Sequence, residues 1–170
     1  MKNKIKIILF PLIGFIIVLT TVLFILMCYT QNNDSIMKFA IYHTGSTSGT
    51  YYFTLDKNGV LKVEFGTRKK YEIKSIKQSN FMEEIRDSAE KTLTEKELQT
   101  LMDLANEVDF LNYDLKKHIV FGGNYIVFLY KGRIHEAHHS VDTDSIAFTN
   151  LIDIFIELSP LPIKLNPFAE

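Results

Sequence analysis

The chain has 170 residues, a formal net charge of −1, a single cysteine and no tryptophan. One cysteine cannot form an intramolecular disulfide, so any folded domain must be held together by its core alone. Three of the 19 basic residues lie before position 7, which leaves 16 against 20 acidic residues in the rest, a formal charge of −4. That balance argues against nucleic acid and anionic lipid surfaces as partners, because both select basic patches.

The N-terminal part contains 23 consecutive uncharged residues, 7–29, which read IILFPLIGFIIVLTTVLFILMCY. A helix of this length reaches about 34 Å, and the hydrocarbon core of a bilayer is about 30 Å thick, so the stretch predicts a transmembrane anchor. Lys2, Lys4 and Lys6 precede it, and positive charge favours the cytoplasmic side. We therefore expect a single-pass protein of the cell membrane, with residues 1–6 as a cytoplasmic tail and the rest outside.

Two alternatives to an uncleaved anchor stay open. A cleaved signal peptide has a shorter apolar region and a small-residue cleavage site, and no Ala-x-Ala follows this stretch. A lipoprotein signal would lipidate Cys28, but such signals carry a small residue before the cysteine and this chain has Met27. Residues 30–35 then form a short polar spacer. An exported domain without cysteines is common among Gram-positive bacteria, which use few disulfides, so we expect a bacterial source.

The outer domain, residues 36–170, begins with strand patterns. SIMKFAIYH, residues 35–43, reads as a first strand. Residues 50–65 alternate apolar and polar side chains on both sides of Asp56-Lys57-Asn58-Gly59, which predicts a hairpin with a type I turn and a left-handed glycine. The serine-rich loop at 45–49 is not a phosphate loop, because it lacks the Gly-Lys-Ser/Thr ending.

Residues 66–93 leave two interpretations open. YEIKSIK, residues 71–77, is typical of a strand with an exposed face. In residues 80–89 the apolar side chains recur at helical spacing, and Asn80 with Glu83 resembles a capping box, which favours a helix. A long edge strand through the same region is the alternative. Arg68, Lys69 and Lys70 are expected in a solvated loop.

The second half predicts a helix, a hairpin and another helix. Thr94 and Glu97 form a capping box, and an apolar stripe follows from Leu98 to Val108. YIVFLY, residues 125–130, has no polar member apart from tyrosine hydroxyls and suits a central strand, and residues 133–139 return as an edge strand. Asp142 or Asp144 is expected to cap a second amphipathic helix, which ends near Leu158 before two prolines.

These elements predict an α+β domain. We expect an antiparallel β-sheet built from hairpins, with two amphipathic helices on one face, preceded by the N-terminal transmembrane helix. The sequence contains no catalytic signature, neither a Gly-x-Ser-x-Gly elbow nor a His-Glu-x-x-His helix.

Three of the five histidines lie in residues 135–139, HEAHH. A metal ion such as zinc needs imidazoles that converge within about 2.0–2.1 Å of it. On a strand His135 and His139 would share one face and His138 would take the other, so a site would need His43, His118 or a carboxylate from elsewhere. The competing interpretation is a polar strand surface with solvated histidines.

Two functional hypotheses follow. The first is a membrane-anchored extracytoplasmic binding or interaction domain without enzymatic activity, held to the membrane by residues 7–29 and acting on a protein or cell-envelope partner. The second is a zinc-binding or metal-dependent activity centred on His135, His138 and His139.

Overall fold

The computed structural model describes part of the chain, namely Thr20 and residues 35–43, 45–69, 73–78, 80–111, 123–138 and 146–164. The chain divides into two compact units, residues 1–34 and residues 35–170, and the described elements belong to the second. Within these described ranges, no helix combines the length and apolar character that a membrane crossing needs. The predicted anchor, residues 7–29, lies outside them except for Thr20.

The second unit is built on a six-stranded sheet in which every neighbouring pair is antiparallel. The order across the sheet is β4-β3-β2-β1-β5-β6. The strands are β1 (Ser35–His43), β2 (Ser48–Asp56), β3 (Val60–Arg68), β4 (Met82–Thr92), β5 (Asn124–Tyr130) and β6 (Arg133–His138). The predicted antiparallel α+β architecture is confirmed, and among the described strands β5 is interior, between β1 and β6, while β6 lies at the edge.

Two helices, α1 (Glu95–Leu111) and α2 (Ile146–Leu158), pack on one face of the sheet. Their buried side chains form a single core with the inward side chains of the strands. At its centre Phe155 of α2 stacks on Phe39 of β1, with ring centroids 4.3 Å apart and planes 8° apart. Phe53 and Phe128 from the flanking strands meet the same Phe155 ring edge-on.

The opposite face of the sheet carries a second, smaller core. A 3₁₀ turn at Ile73–Lys77 lies over it, and Ile76 is fully buried there. Phe81, just before β4, packs its ring 4.8 Å from that of Tyr52. The sheet is therefore covered on both sides near β1 and β5, which explains why β5 has apolar residues on both faces.

The interpretation of residues 80–89 as a helix is wrong. Residues 82–92 form β4, the edge strand that was the alternative, and residues 73–77 form a 3₁₀ turn instead of a strand. The helical spacing of apolar residues was misleading because Ile85 is 53% exposed, whereas Phe81 and Met82 are buried in the smaller core. Pairing along the whole of β3 stabilises the extended backbone in this region.

Local turn chemistry behaves as the sequence predicts. Asp56 Oδ1 accepts hydrogen bonds from the backbone N–H groups of Asn58 (2.9 Å) and Val60 (2.8 Å), and Gly59 takes a φ of +77°. These contacts close the β2–β3 hairpin. The hairpin between β5 and β6 turns through Lys131 and Gly132, both at positive φ, a pair typical of tight two-residue hairpins.

Candidate functional site

The structure describes the three predicted metal ligands to different extents. His135 lies on β6, is 1% exposed and faces the helices, with its ring 5.8 Å from that of Phe128. The solvated-surface interpretation is therefore wrong for His135. His138 is paired with Tyr125 along β6, while its side chain and the whole of His139 lie outside the described residues.

The metal hypothesis consequently stays a prediction. In the described part of the chain, no three side chains among His, Cys, Asp and Glu are grouped closely enough to hold a metal ion.

His135 belongs to a buried polar cluster at the C-terminal end of α1. Its Nε2 lies 3.4 Å from Asp109 Oδ1, and Arg133 Nη1 lies 3.4 Å from the same oxygen. Arg133 Nη1 also donates to the backbone carbonyl of Asp109 at 3.4 Å. A cation placed there complements the negative end of a helix, and α1 has no basic residue of its own in its last turn.

A second contact joins the same end of α1 to the β5–β6 hairpin. Asn106 Oδ1 accepts hydrogen bonds from Tyr130 Oη (3.0 Å) and from Lys131 Nζ (2.7 Å). The polar side chains of this region therefore dock a helix end onto an edge hairpin. Asn106 accepts through its side-chain amide oxygen, whereas Asp109 accepts through its backbone carbonyl.

A different polar cluster lies on the opposite face of the sheet, centred on Arg68. This arginine is only 8% exposed, so the expectation of a solvated basic loop is wrong for it. Its guanidinium lies over the Tyr42 ring at 3.9 Å, and Nη2 donates to the Ser46 carbonyl at 3.2 Å. Stacking on an aromatic face is a favourable place for a partly desolvated arginine.

Burial also changes the acidity of the tyrosines on this face. Burial raises the pKa of Tyr42 to about 12, while the Arg68 charge opposes the rise and the Glu136 charge adds to it. The pKa of Tyr52 is raised further, again by burial first and then by Glu64. Both phenols therefore stay protonated at neutral pH and cannot serve as bases there. Tyr125 Oη donates a hydrogen bond to Glu136 Oε2.

Lys38 is the third buried charge on this face. It is 8% exposed, and burial lowers the pKa of its amine. Its Nζ donates to the carbonyls of Lys77 (3.4 Å) and Gln78 (3.3 Å), at the end of the 3₁₀ turn. The lysine thus ties β1 to the segment that covers the smaller core.

Sequence reasoning missed Arg68, Tyr42, Glu136 and Lys38 as members of buried clusters. The available signal was strand alternation, which puts positions 38, 40 and 42 on the face opposite Met37, Phe39 and Ile41. What covers that second face could not be inferred, because the covering 3₁₀ turn lies in the segment whose structure was ambiguous.

The outer surface offers two further features. A shallow groove runs between α1 and α2, lined by Leu104 and Ile154 together with polar and acidic side chains that include Asp103, Asp153 and Glu157. The long strand β4 forms one edge of the sheet, and its side chains from Glu83 to Ser88 are exposed.

Two comparisons with known proteins found no match to this chain. No protein-family model matches the chain, and no curated protein matches it at a significant level. The functional argument therefore depends on the chain itself.

Proposed function

We propose that this protein is a single-pass membrane protein whose C-terminal α+β domain binds a partner outside the cell and carries out no chemistry of its own. Residues 7–29 would be the anchor, residues 1–6 the cytoplasmic tail, and the compact unit from Ser35 onward the binding domain. The partner would be a protein or another component of the cell envelope.

The observation that carries this proposal is a sharp boundary in the chain. The compact unit begins at Ser35, and five residues separate it from an uncharged stretch of bilayer-spanning length. The stretch is preceded by three lysines and followed by no basic residue before Lys38, the asymmetry that orients membrane proteins. A domain held this way stays near the bilayer, which raises its effective concentration against neighbours in the same envelope.

The arrangement of buried polar groups supports a binding role over catalysis. Asp109 is engaged by Arg133 and lies beside His135, and Glu136 accepts from Tyr125. Each contact joins elements of the fold, and none of these groups lines the groove between the helices. Catalytic carboxylates and histidines need access to a substrate, so these residues are better explained as structural.

The proposal is tested by labelling single cysteines in intact cells. In a full-length Cys28→Ser background, Glu107→Cys places a thiol on the exposed side of α1, and Asn3→Cys places one in the tail. We expect a membrane-impermeant maleimide to label Glu107→Cys before lysis and Asn3→Cys only after lysis. Labelling of Asn3→Cys alone, or of neither variant before lysis, would overturn the proposal.

A further inference from the structure

Arg68 is a buried cation that has no carboxylate bonded to it in the described part of the chain. Only 8% of its surface is exposed. Its side chain contacts the Tyr42 ring and the Ser46 carbonyl, and its backbone N–H donates to the Thr47 carbonyl at 3.0 Å. A guanidinium is always charged in proteins, and burying a charge without an opposite charge beside it carries a large desolvation cost.

The guanidinium also has hydrogen-bond donors to spare. Of its five N–H donors, Nη2 gives one to the Ser46 carbonyl at 3.2 Å, while Nε is buried and has no hydrogen-bond partner. Nη1 makes no hydrogen bond with a described residue and is not fully buried, so a ligand can reach the guanidinium through it. Because unsatisfied buried donors are rare and costly, an acceptor oxygen placed here would be stabilised.

The Tyr42 hydroxyl is a further donor at the same place. The guanidinium of Arg68 lies 3.9 Å from the centroid of the ring that carries this hydroxyl. Burial raises the pKa of Tyr42 to about 12, so the hydroxyl keeps its proton at neutral pH. It forms no hydrogen bond with another of the residues that the structure describes. One small anion can therefore accept from the guanidinium and from the phenol.

The loop between β1 and β2 forms the rim of this place. Ser46 supplies the carbonyl that Arg68 binds, and its hydroxyl lies 2.9 Å from that of Ser48 in an exposed part of the loop. A Cβ atom built at Gly45 or Gly49 meets nothing within 4 Å, so the loop borders open space. The loop side is therefore the open approach to the guanidinium.

The buried charges on this face of the sheet do not balance among themselves. Two of the buried side chains are cations, Lys38 and Arg68, and one is an anion, Glu136. The Glu136 carboxylate accepts from Tyr125, and no ion pair joins it to Arg68. Lys38 is held by two backbone carbonyls. Arg68 is thus the buried charge that an added anion would neutralise.

We propose that Arg68 and the Tyr42 hydroxyl bind the carboxylate group of a ligand at the rim formed by residues 45–48. The planar fork of a guanidinium matches a carboxylate, which can accept two parallel N–H bonds. The Glu136 charge acts on the same phenol, and its repulsion grows with the charge of the ligand, so a single negative charge fits better than a doubly charged phosphate. This site needs no membrane anchor and goes beyond the proposed function.

The first test follows the arginine side chains of the full-length chain by NMR in non-ionic detergent micelles. The sequence has three arginines, so the Nε–H region of the spectrum contains its own controls. Arg86→Lys and Arg133→Lys assign two of the signals and leave that of Arg68 as the third. We expect sodium acetate, added at constant ionic strength in a chloride buffer, to shift the Arg68 signal to saturation and to leave the other two in place.

An Arg68 signal that does not move during the acetate titration would overturn the proposal, because Nε–H belongs to the group that the ligand binds. Equal movement of all three signals without saturation would also overturn it, since that pattern indicates weak general association with acetate.

Thermal unfolding in acetate at constant ionic strength is the second test. A ligand that binds the folded state raises the melting temperature of the unsubstituted chain. Arg68→Lys keeps the charge and loses the planar fork, so we expect the acetate concentration for half of the rise to increase about tenfold or more. Arg86→Lys is the matched control, because the Arg86 side chain is 52% exposed on the neighbouring strand, and it should respond as the unsubstituted chain does.

An unchanged acetate response in Arg68→Lys would contradict the site. If Arg68→Lys fails to fold, the NMR titration decides, because it needs no substitution at position 68.

Two further ligands define the class and the source of the anion. Saturation of the Arg68 signal by inorganic phosphate at a lower concentration than by acetate would overturn the assignment to a carboxylate. N-acetylglycine carries its carboxylate next to a peptide group. Tighter binding of this compound than of acetate would support the C-terminus of a peptide as the ligand, and equal binding would support a small free acid.

Discussion

Gly66 of β3 lies close against the backbone of β4. A Cβ atom built there would lie 2.0 Å from the Glu84 carbonyl oxygen and 3.1 Å from Ile85 Cα, both of them backbone atoms. Backbone atoms cannot rotate away as a flexible side chain can. We expect Gly66→Ala to destabilise the domain by about 1–3 kcal/mol, the usual cost of overpacking a tight site.

Thermal or denaturant unfolding of the Gly66→Ala variant checks this expectation, with Thr67→Ala on the same strand as the control. Equal stability of Gly66→Ala and the unsubstituted protein would show that β4 does not press on β3 as closely as the structure indicates.

His135 permits a test of the metal hypothesis at the scale of one residue. The Arg133 guanidinium lies 3.4 Å from the same Asp109 oxygen that His135 faces, and a divalent cation there would be repelled by it. We therefore expect saturating zinc to leave the melting temperature unchanged. A rise that disappears on chelation and in a His135→Ala, His139→Ala double variant would support the metal hypothesis, because a ligand that binds only the folded state stabilises it.

The structural role of a single residue could be predicted from the sequence where that role involves only its neighbours in the chain. Asp56 and Gly59 follow from turn chemistry, which involves only neighbours in the chain. The burial of Arg68 and His135 was not predictable, because it depends on which distant elements cover the sheet. Arg68 lies over Tyr42 from β1, and His135 faces Asp109 from α1.

At the scale of an element, the capping box of α1 is confirmed and gives a pH-dependent prediction. Glu97 Oε2 accepts from Thr94 N at 2.7 Å, and Thr94 Oγ1 accepts from Glu97 N at 3.3 Å. The hydrogen bond from Lys91, followed by those from Thr94, lowers the pKa of Glu97 from 4.5 to about 2. A lowered folded-state pKa contributes stability above the unfolded value, and that contribution is lost as the pH falls from about 4.5 towards 2.

We expect Glu97→Gln to lower the melting temperature most at pH 6, with the difference from the unsubstituted protein shrinking between pH 4.5 and pH 2. Glu95→Gln is the control, because it removes a charge from the same helical turn and leaves the Thr94 bonds in place. A difference for Glu97→Gln that stays constant over this pH range would contradict the assigned pKa shift.

Elements with a strong local pattern were predictable and the edge strand was not. The observed β1 covers the predicted residues 35–43, and α1 begins directly after the predicted cap. β4 has charged or polar residues at most positions, and its side chains are exposed on both faces from residue 83 to residue 88, so its sequence carries little period-2 signal. Its structure is determined by pairing with β3, which a local pattern does not reveal.

At the scale of the whole molecule, local sequence patterns predicted some features of the sheet and missed others. The sequence predicted the antiparallel sheet with both helices on one face, since each hairpin and each amphipathic stripe is formed by residues that are close together in the chain. The position of β1 between β2 and β5 could not be predicted in this way, because β1 ends at His43 and its partner β5 begins only at Asn124. The smaller core on the second face was missed for the same reason.

Membrane fractionation of the full-length chain tests the central claim most directly, with a matched form that begins at Ser35. We predict that the full-length chain stays in the membrane pellet through an alkaline carbonate wash, and that the form without residues 1–34 is found in the supernatant with an unchanged melting curve. Recovery of the full-length chain in the supernatant would contradict the account of a membrane-tethered binding domain.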